Sequence, residues 1–388
     1  MAYKLRKRDE HFANDGAPKR ILALDGGGLR GILTLGYLEK IEALLSERYG
    51  TPDFRLCHYF DLVSGTSTGS IIAAALAKGW AVRELIDEYL KLGNEIFTKS
   101  IFRQGLLRAK YDATALTTKL KELLGEGTRM RSAELETGLL IVTKRLDSGS
   151  PWPIGNNPRG KYFEARPESK AMANGDYPLW QVVRASTAAP TYFDSETMTI
   201  VEGAGVESVT GTFVDGGVSP FNNPSLQALM YATLDGYRVG WPTGADELLL
   251  VSVGTGSRDP KVTPLKIDVA AGQGVQSLTA LMDDCASLME TLLQWMSCST
   301  TAREIDREIG DLRNDRLADR PLLTYLRYNL PLTRDAVREL NPGLADDRID
   351  GLSEMDAPAN MQTLLELGRE SAKRLVREED FAAGFDLR

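Results

Sequence analysis

Apolar residues along the chain fall into short uninterrupted runs, which suit buried strands, and longer stretches spaced by three and four, which suit helices. The run 21–24 (ILAL) is followed by a glycine turn and a helix over 32–48, with Leu35, Leu38, Ile41 and Leu45 on one side and Gly50 as its stop. A second run, 59–63, leads into SGTSTG, and an Ala-rich helix over 70–78 is closed by Gly79. Two strand–turn–helix units in succession predict a parallel sheet covered by helices. Helices over 82–92 and 113–124 come next, the second with Asp112 as N-cap and Gly125 as stop. GLLIVTKRL (138–146) and ELLLVSVGTG (247–256) read as further buried strands, and SGSPWPIGNNPRG (148–160) as a loop. From 274 to 296 the pattern predicts a long amphipathic helix with Leu278, Leu281, Met282, Leu288, Leu292 and Leu293 as its apolar face. No repeat or linker interrupts the chain. The expected division is a polar leader over 1–19, an α/β domain over 20–270 and a mainly helical C-terminal part over 271–388 packed on it.

Composition narrows the class. A chain of 388 residues with 43% hydrophobic content builds a substantial core. The net charge of −8 argues against a nucleic-acid polymer as partner and against long-range attraction to an anionic membrane. The basic start, MAYKLRKRDEHFANDG, has no apolar stretch behind it, and the longest apolar stretch, 71–77, falls short of the roughly 20 residues of a span. Three cysteines, Cys57, Cys285 and Cys298, have no C-x-x-C spacing and imply neither a disulfide framework nor a thiolate metal cluster. The expected setting is the cytoplasm.

ILALDGGGLRGIL (21–33) carries Gly26, Gly28 and Gly31 at the G-x-G-x-x-G spacing of a dinucleotide fold. That reading needs an acidic residue at the end of the second strand, roughly 20 residues on, where this chain is still helical. No G-K-[ST] follows, so a P-loop fits no better. GTSTG (65–69) matches G-x-S-x-G, the strand-to-helix turn that lifts a serine out of a sheet, and makes Ser67 the candidate nucleophile. The first glycine turn then has a use, because backbone amides aimed at a developing oxyanion are worth about 3 to 4 kcal/mol each. Gly26, Gly27, Gly28 and Thr68 are the candidate donors, with Arg30 supporting the turn or touching a phosphate headgroup. Plain strand–helix packing is the competing account of these glycines. Only two histidines could serve as base. His58 begins the strand that ends at Ser67, which places it roughly 20 to 25 Å away, and His11 lies in the leader. A carboxylate is therefore expected: Asp215 in GTFVDGGVSPFNNP, at a strand end before two glycines, with Asp25 as a rival whose other role is accepting backbone hydrogen bonds in the turn.

These segments resemble the patatin-like phospholipases. DGGGLRG (25–31) looks like that family's oxyanion segment, GTSTG like its nucleophile elbow, ASTAAPTYF (185–193) like a block before its second catalytic strand, and DGG (215–217) like the segment of its catalytic aspartate. YLRYNL (325–330) and MDAPANMQTLLELG (355–368) are similar to longer bacterial members. Ser70 departs from the glycine many members have there. The resemblance implies a patatin-like three-layer α/β fold, with a central mostly parallel sheet flanked by helices and a mainly helical C-terminal part. It also implies a Ser67–Asp215 dyad without metal or cofactor, which cleaves fatty-acyl esters of membrane glycerophospholipids through an acyl-enzyme.

Such a substrate requires transient contact with the inner membrane surface. KSIFRQGLLRAK (99–110) offers it, with Lys99, Arg103, Arg108 and Lys110 around Ile101, Phe102, Leu106 and Leu107; an ordinary helix connection is the competing account. Some bacterial patatin-like enzymes are antiviral effectors activated by a cyclic nucleotide. A site for one would need a basic, aromatic cleft, for which Tyr325, Arg327 and Tyr328 qualify unless they form a strand. Homo-oligomerisation stays open. The alternative functions are a nucleotide-binding sensor or scaffold on the same fold, and a lipid acyltransferase.

Overall fold

The computed structural model describes residues 3–97, 109–166, 169–202, 207–258 and 270–388, with only the backbone for 270–279. Strands β1 (Lys19–Leu24), β2 (Leu62–Thr66), β3 (Gly138–Arg145), β4 (Ser150–Gly155), β5 (Glu196–Val201), β6 (Val209–Asp215), β7 (Leu248–Val253), β8 (Ser297–Cys298) and β9 (Leu323–Tyr328) make one sheet. Their order is β5-β6-β3-β2-β1-β7-β9-β8, with β4 paired to β3. From β3 through β8 all neighbours are parallel, whereas β4 and β6 run antiparallel to β3, and β5 to β6.

The apolar runs are continuous because every residue of β1, β2 and β7 is buried, as a sheet covered on both faces requires. Period-two alternation then divides the core. Leu22, Leu24, Val63, Ile141 and Val251 pack on one side of the sheet; Ile21, Leu62, Leu140 and Leu250 pack on the other. The result is the three-layer α/β fold expected.

The helices, in chain order, are α1 (Arg8–His11), α2 (Gly31–Tyr49), α3 (Leu56–Tyr59), α4 (Thr68–Ala77), α5 (Val82–Ile96), α6 (Ala113–Leu124), α7 (Leu179–Ser186), α8 (Ser225–Thr233), α9 (Ala270–Met296), α10 (Arg334–Leu340), α11 (Asp346–Gly351) and α12 (Met361–Leu375). Asp112 caps α6 by accepting the Thr114 N–H, and Gly50 ends α2 at φ 62°. No helix among the described residues is long and apolar enough to cross a membrane.

Three expectations, the 148–160 loop, the polar leader and the α9 face, are corrected. Residues 150–155 form β4 rather than loop, because a strand that pairs on one side only tolerates Pro151 and Pro153. The leader is not wholly polar in its packing, since α1 brings His11 and Phe12 into the interior. The C-terminal part, mainly helical as expected, also adds β8 and β9 to the sheet, and YLRYN takes the strand alternative as β9, with Tyr325 and Tyr328 fully buried. The apolar residues of α9 span two faces about 100° apart, and only the one with Met289 and Leu293 is buried, while Leu281 and Leu288 stay exposed. The segment 98–108, with most of the basic and apolar residues named above, lies outside the described residues.

Candidate active site

Ser67 stands between the C-terminal end of β2 and α4 with φ 55° and ψ −128°, a conformation that an L-residue adopts only at a cost. Its flanks explain the sequence. A Cβ on Gly65 would come within 2.2 Å of the Gly69 carbonyl oxygen, and one on Gly69 within 2.3 Å of the Leu24 carbonyl oxygen. The turn therefore closes only with glycine at both positions. The Ser67 N–H is donated to Ser186 Oγ (2.9 Å), whose hydroxyl donates to the Val142 carbonyl (2.6 Å). Ser70, the departure noted in sequence, donates its hydroxyl to the Ser67 carbonyl at 2.5 Å and so braces the strained turn.

Asp215 ends β6, with its strand position opposite Thr143 of β3. Ser67 Oγ donates to Asp215 Oδ2 at 2.5 Å, and Gly217 N–H donates to Oδ1 at 2.7 Å. Burial raises the Asp215 carboxyl to about 6, against the hydrogen bonds from Ser67 and Gly217 and the nearby Arg184 charge, which lower it. A buried carboxylate that still ionises near neutrality is a stronger base than an exposed aspartate.

The glycine turn faces this pair. Gly27, Gly28, Ser67, Thr68 and Asp215 line the same cleft, of about 990 Å³ with its open mouth, whose depths are apolar with Ile71, Leu92, Phe97 and Phe193. Among the described residues the amides of Gly27, Gly28 and Thr68 have no protein acceptor. Gly26 differs from expectation: its N–H is donated to the Asn222 carbonyl at 3.0 Å. Its role is close approach, since a Cβ would lie 2.9 Å from that of Ser67. Arg30 is buried and donates through Nε to the Gly27 carbonyl at 3.4 Å, holding the turn rather than lining the cleft.

Asp25 does not reach Ser67 and does not cap the turn. Its carboxylate is held in a buried fork by Arg327 of β9, with Nη1 to Oδ1 at 3.0 Å and Nη2 to Oδ2 at 2.6 Å. Arg327→Met is expected to cost about 3–5 kcal/mol in urea unfolding, because it leaves the Asp25 charge buried and unpaired. Both histidines sit at the opposite end of β2. His11 Nδ1 bonds Asp61 at 2.9 Å, and His58 lies in α3 rather than in the strand, with Tyr3 Oη 3.0 Å from its Nδ1.

One group of metal-ligating atoms, from Cys57, His58 and Glu136, comes within 4.8 Å of one another at that far end. Hydrogen bonds already engage them: the Cys57 thiol, its acidity weakened by burial, donates to Glu136 (3.7 Å), and His58 Nδ1 accepts the Arg55 N–H (3.2 Å). Sequence reasoning missed Ser186, Asn222, Arg327 and the cleft-lining Met282 and Met355. All five lay in segments singled out beforehand, but for other reasons than these contacts.

A model of the patatin-like phospholipase family matches residues 22–229. The cGAMP-activated phospholipase of Vibrio cholerae serotype O1 is 29% identical over 274 residues, 68% of this chain and 70% of that protein. The cGAMP-activated phospholipase of Escherichia coli (strain TW11681) is 27% identical over 249 residues, covering 63% of this chain and 64% of its own. Patatin-17 of Solanum cardiophyllum is 30% identical over 263 residues, 63% of this chain and 62% of that protein. The alignments with the last two span less than two thirds of those relatives' length.

Proposed function

The chain belongs to the patatin-like phospholipase family of lipid acyl hydrolases, and we propose that it cleaves fatty-acyl esters of membrane glycerophospholipids with Ser67 as nucleophile and Asp215 as its base. The observation that carries this is the 2.5 Å contact from Ser67 Oγ to Asp215 Oδ2, beside amides that have no acceptor among the described residues. Asp215 takes the hydroxyl proton as Ser67 Oγ bonds to the ester carbonyl carbon. The carbonyl oxygen, now negative, is held by the Gly27, Gly28 and Thr68 amides. Collapse breaks the ester C–O bond, and Asp215 passes its proton to the departing lysolipid alcohol. Water then attacks the acyl-enzyme, giving its proton to Asp215, and the fatty acid leaves as Ser67 recovers the proton. The apolar depth of the cleft takes the acyl chain.

Fatty-acid release from phospholipid vesicles, followed by mass spectrometry, tests the reading. Loss of release in Ser67→Ala supports it, and unchanged release in that variant refutes it. An acyltransferase would instead give transacylated product when an acceptor alcohol is added. The base must be ionised to work, so kcat/KM for a soluble ester should rise with pH and reach half its plateau near pH 6. A profile flat through that region would remove Asp215 from the role.

Activation by a cyclic nucleotide is carried to this chain by the names of its Vibrio and Escherichia relatives, and the antiviral role by the family resemblance of its sequence. Tyr325, Arg327 and Tyr328 are not its binding site in this reading, because they are committed to β9 and to Asp25. Adding cGAMP to the vesicle assay tests this: a severalfold rise in fatty-acid release supports activation, and an unchanged rate counts against it.

A further inference from the structure

One wall of the cleft comes from outside the residues that the family model matches. Met355 lines the cleft with Gly27, Gly28 and Ser67, and its carbonyl accepts the Leu29 N–H at 2.7 Å. Gly28 has φ +60°, and a Cβ there would lie 2.2 Å from the Met355 carbonyl oxygen. The glycine turn is thus shaped against this segment as well as toward the elbow.

The next residue anchors the segment. Asp356 accepts the Tyr111 hydroxyl at 2.5 Å and pairs with the Lys110 ammonium. Lys110 and Tyr111 donate their N–H groups to the carbonyls of Thr191 and Tyr192, each at 2.9 Å, and those two residues also line the cleft. Asp356 therefore joins the glycine turn to the 191–192 lip. From behind, α12 is seated on α2, where a Cβ on Gly36 would come within 2.8 Å of the Gly368 carbonyl carbon and Arg369 forks onto Glu39 at 2.5 and 2.9 Å. The C-terminal part thus holds α2, the helix that follows the turn, and through Arg327 also Asp25, which precedes it.

We propose that Met355 and Asp356 form a strap that positions the oxyanion turn, with Asp356 as its positioning residue; this rests on the Ser67–Asp215 reading. The physical need is registration. Amides that stabilise an oxyanion must sit within about half an ångström of their working place, and a displacement of about 1 Å can cost roughly 10²-fold in rate. The Leu29 N–H, bound to the strap, sets where the preceding two amides point.

The test compares Asp356→Ala with wild type on p-nitrophenyl butyrate and its thionoester, whose sulfur is a poor hydrogen-bond acceptor. The oxoester kcat should fall roughly tenfold to a hundredfold, with the thionoester changed less than about twofold. Lys110→Met, which loosens the same anchor from the other side, should shift the ratio in the same direction by less. Parallel losses on both esters, or no loss, overturn the proposal. Amide hydrogen exchange over 26–31 decides it independently of turnover: faster exchange in Asp356→Ala supports the strap, and unchanged exchange sinks it. Were wild type inert toward both esters with and without cGAMP, the hydrolase reading would fail while the exchange result still judged the strap.

Discussion

Ser67→Gly is expected to lose acyl release by about 10⁴-fold or more and yet to unfold at a higher temperature than the equally inactive Ser67→Ala. The two effects have one origin. At φ 55° and ψ −128° the serine holds a backbone conformation that costs about 1–3 kcal/mol for a residue with a Cβ, and glycine adopts it freely. After the extra chain entropy of glycine in the unfolded state is subtracted, the gain is about 1 kcal/mol. Ser67→Ala removes the same hydroxyl but keeps the Cβ, so it should be as inactive without that gain. Thermal unfolding of the three proteins, beside fatty-acid release from vesicles, checks both halves. Equal stability of the glycine and alanine variants would mean that the elbow is not under strain.

Asp215→Asn should come close to Ser67→Ala in lost activity, because an amide cannot accept the hydroxyl proton. Its stability should depend on pH in a definite direction. Burial lifts the folded-state pKa of Asp215 from an ordinary 3.8 to about 6, so between these values the folded protein holds a proton that the unfolded chain has released. The group favours the fold fully below about pH 4, and that advantage is lost as pH rises through about 6. A shift of that size corresponds to about 3 kcal/mol. Asp215→Asn lacks the titration, so its stability relative to wild type should climb across this window and level off above it. Urea unfolding at acid and neutral pH measures the difference. A constant difference would mean that Asp215 has the same proton affinity folded and unfolded.

Much of this architecture is local information. The buried runs at 21–24, 138–146 and 247–256, the Asp112 cap and the Gly50 stop act within a few residues, and they form where the pattern places them. The same holds for the G-x-S-x-G turn, whose small residues answer to contacts with the adjoining strand and helix. Where the local pattern was ambiguous, position in the sheet decided. Two prolines read as loop in isolation but are admissible in β4, which has a neighbour on one side only. YLRYN, with an arginine between aromatics, is equally readable as a surface or an interior. It became interior because Asp25, buried at the end of β1, supplied the opposing charge.

The sequence by itself determined the fold class, the serine at a strand-to-helix turn, and the two glycine-flanked aspartates among which a base had to be sought. The sequence already preferred Asp215 of the two; tertiary structure alone showed what each touches, Arg327 for Asp25 and Ser67 for Asp215. It alone took the Gly26 amide for Asn222 and brought Met355 against the glycine turn. The physical reason is range. Propensity and periodicity act over a turn or a strand, whereas a hydrogen bond between residues 148 positions apart, as Ser67 and Asp215 are, exists only once the sheet has set its strand order.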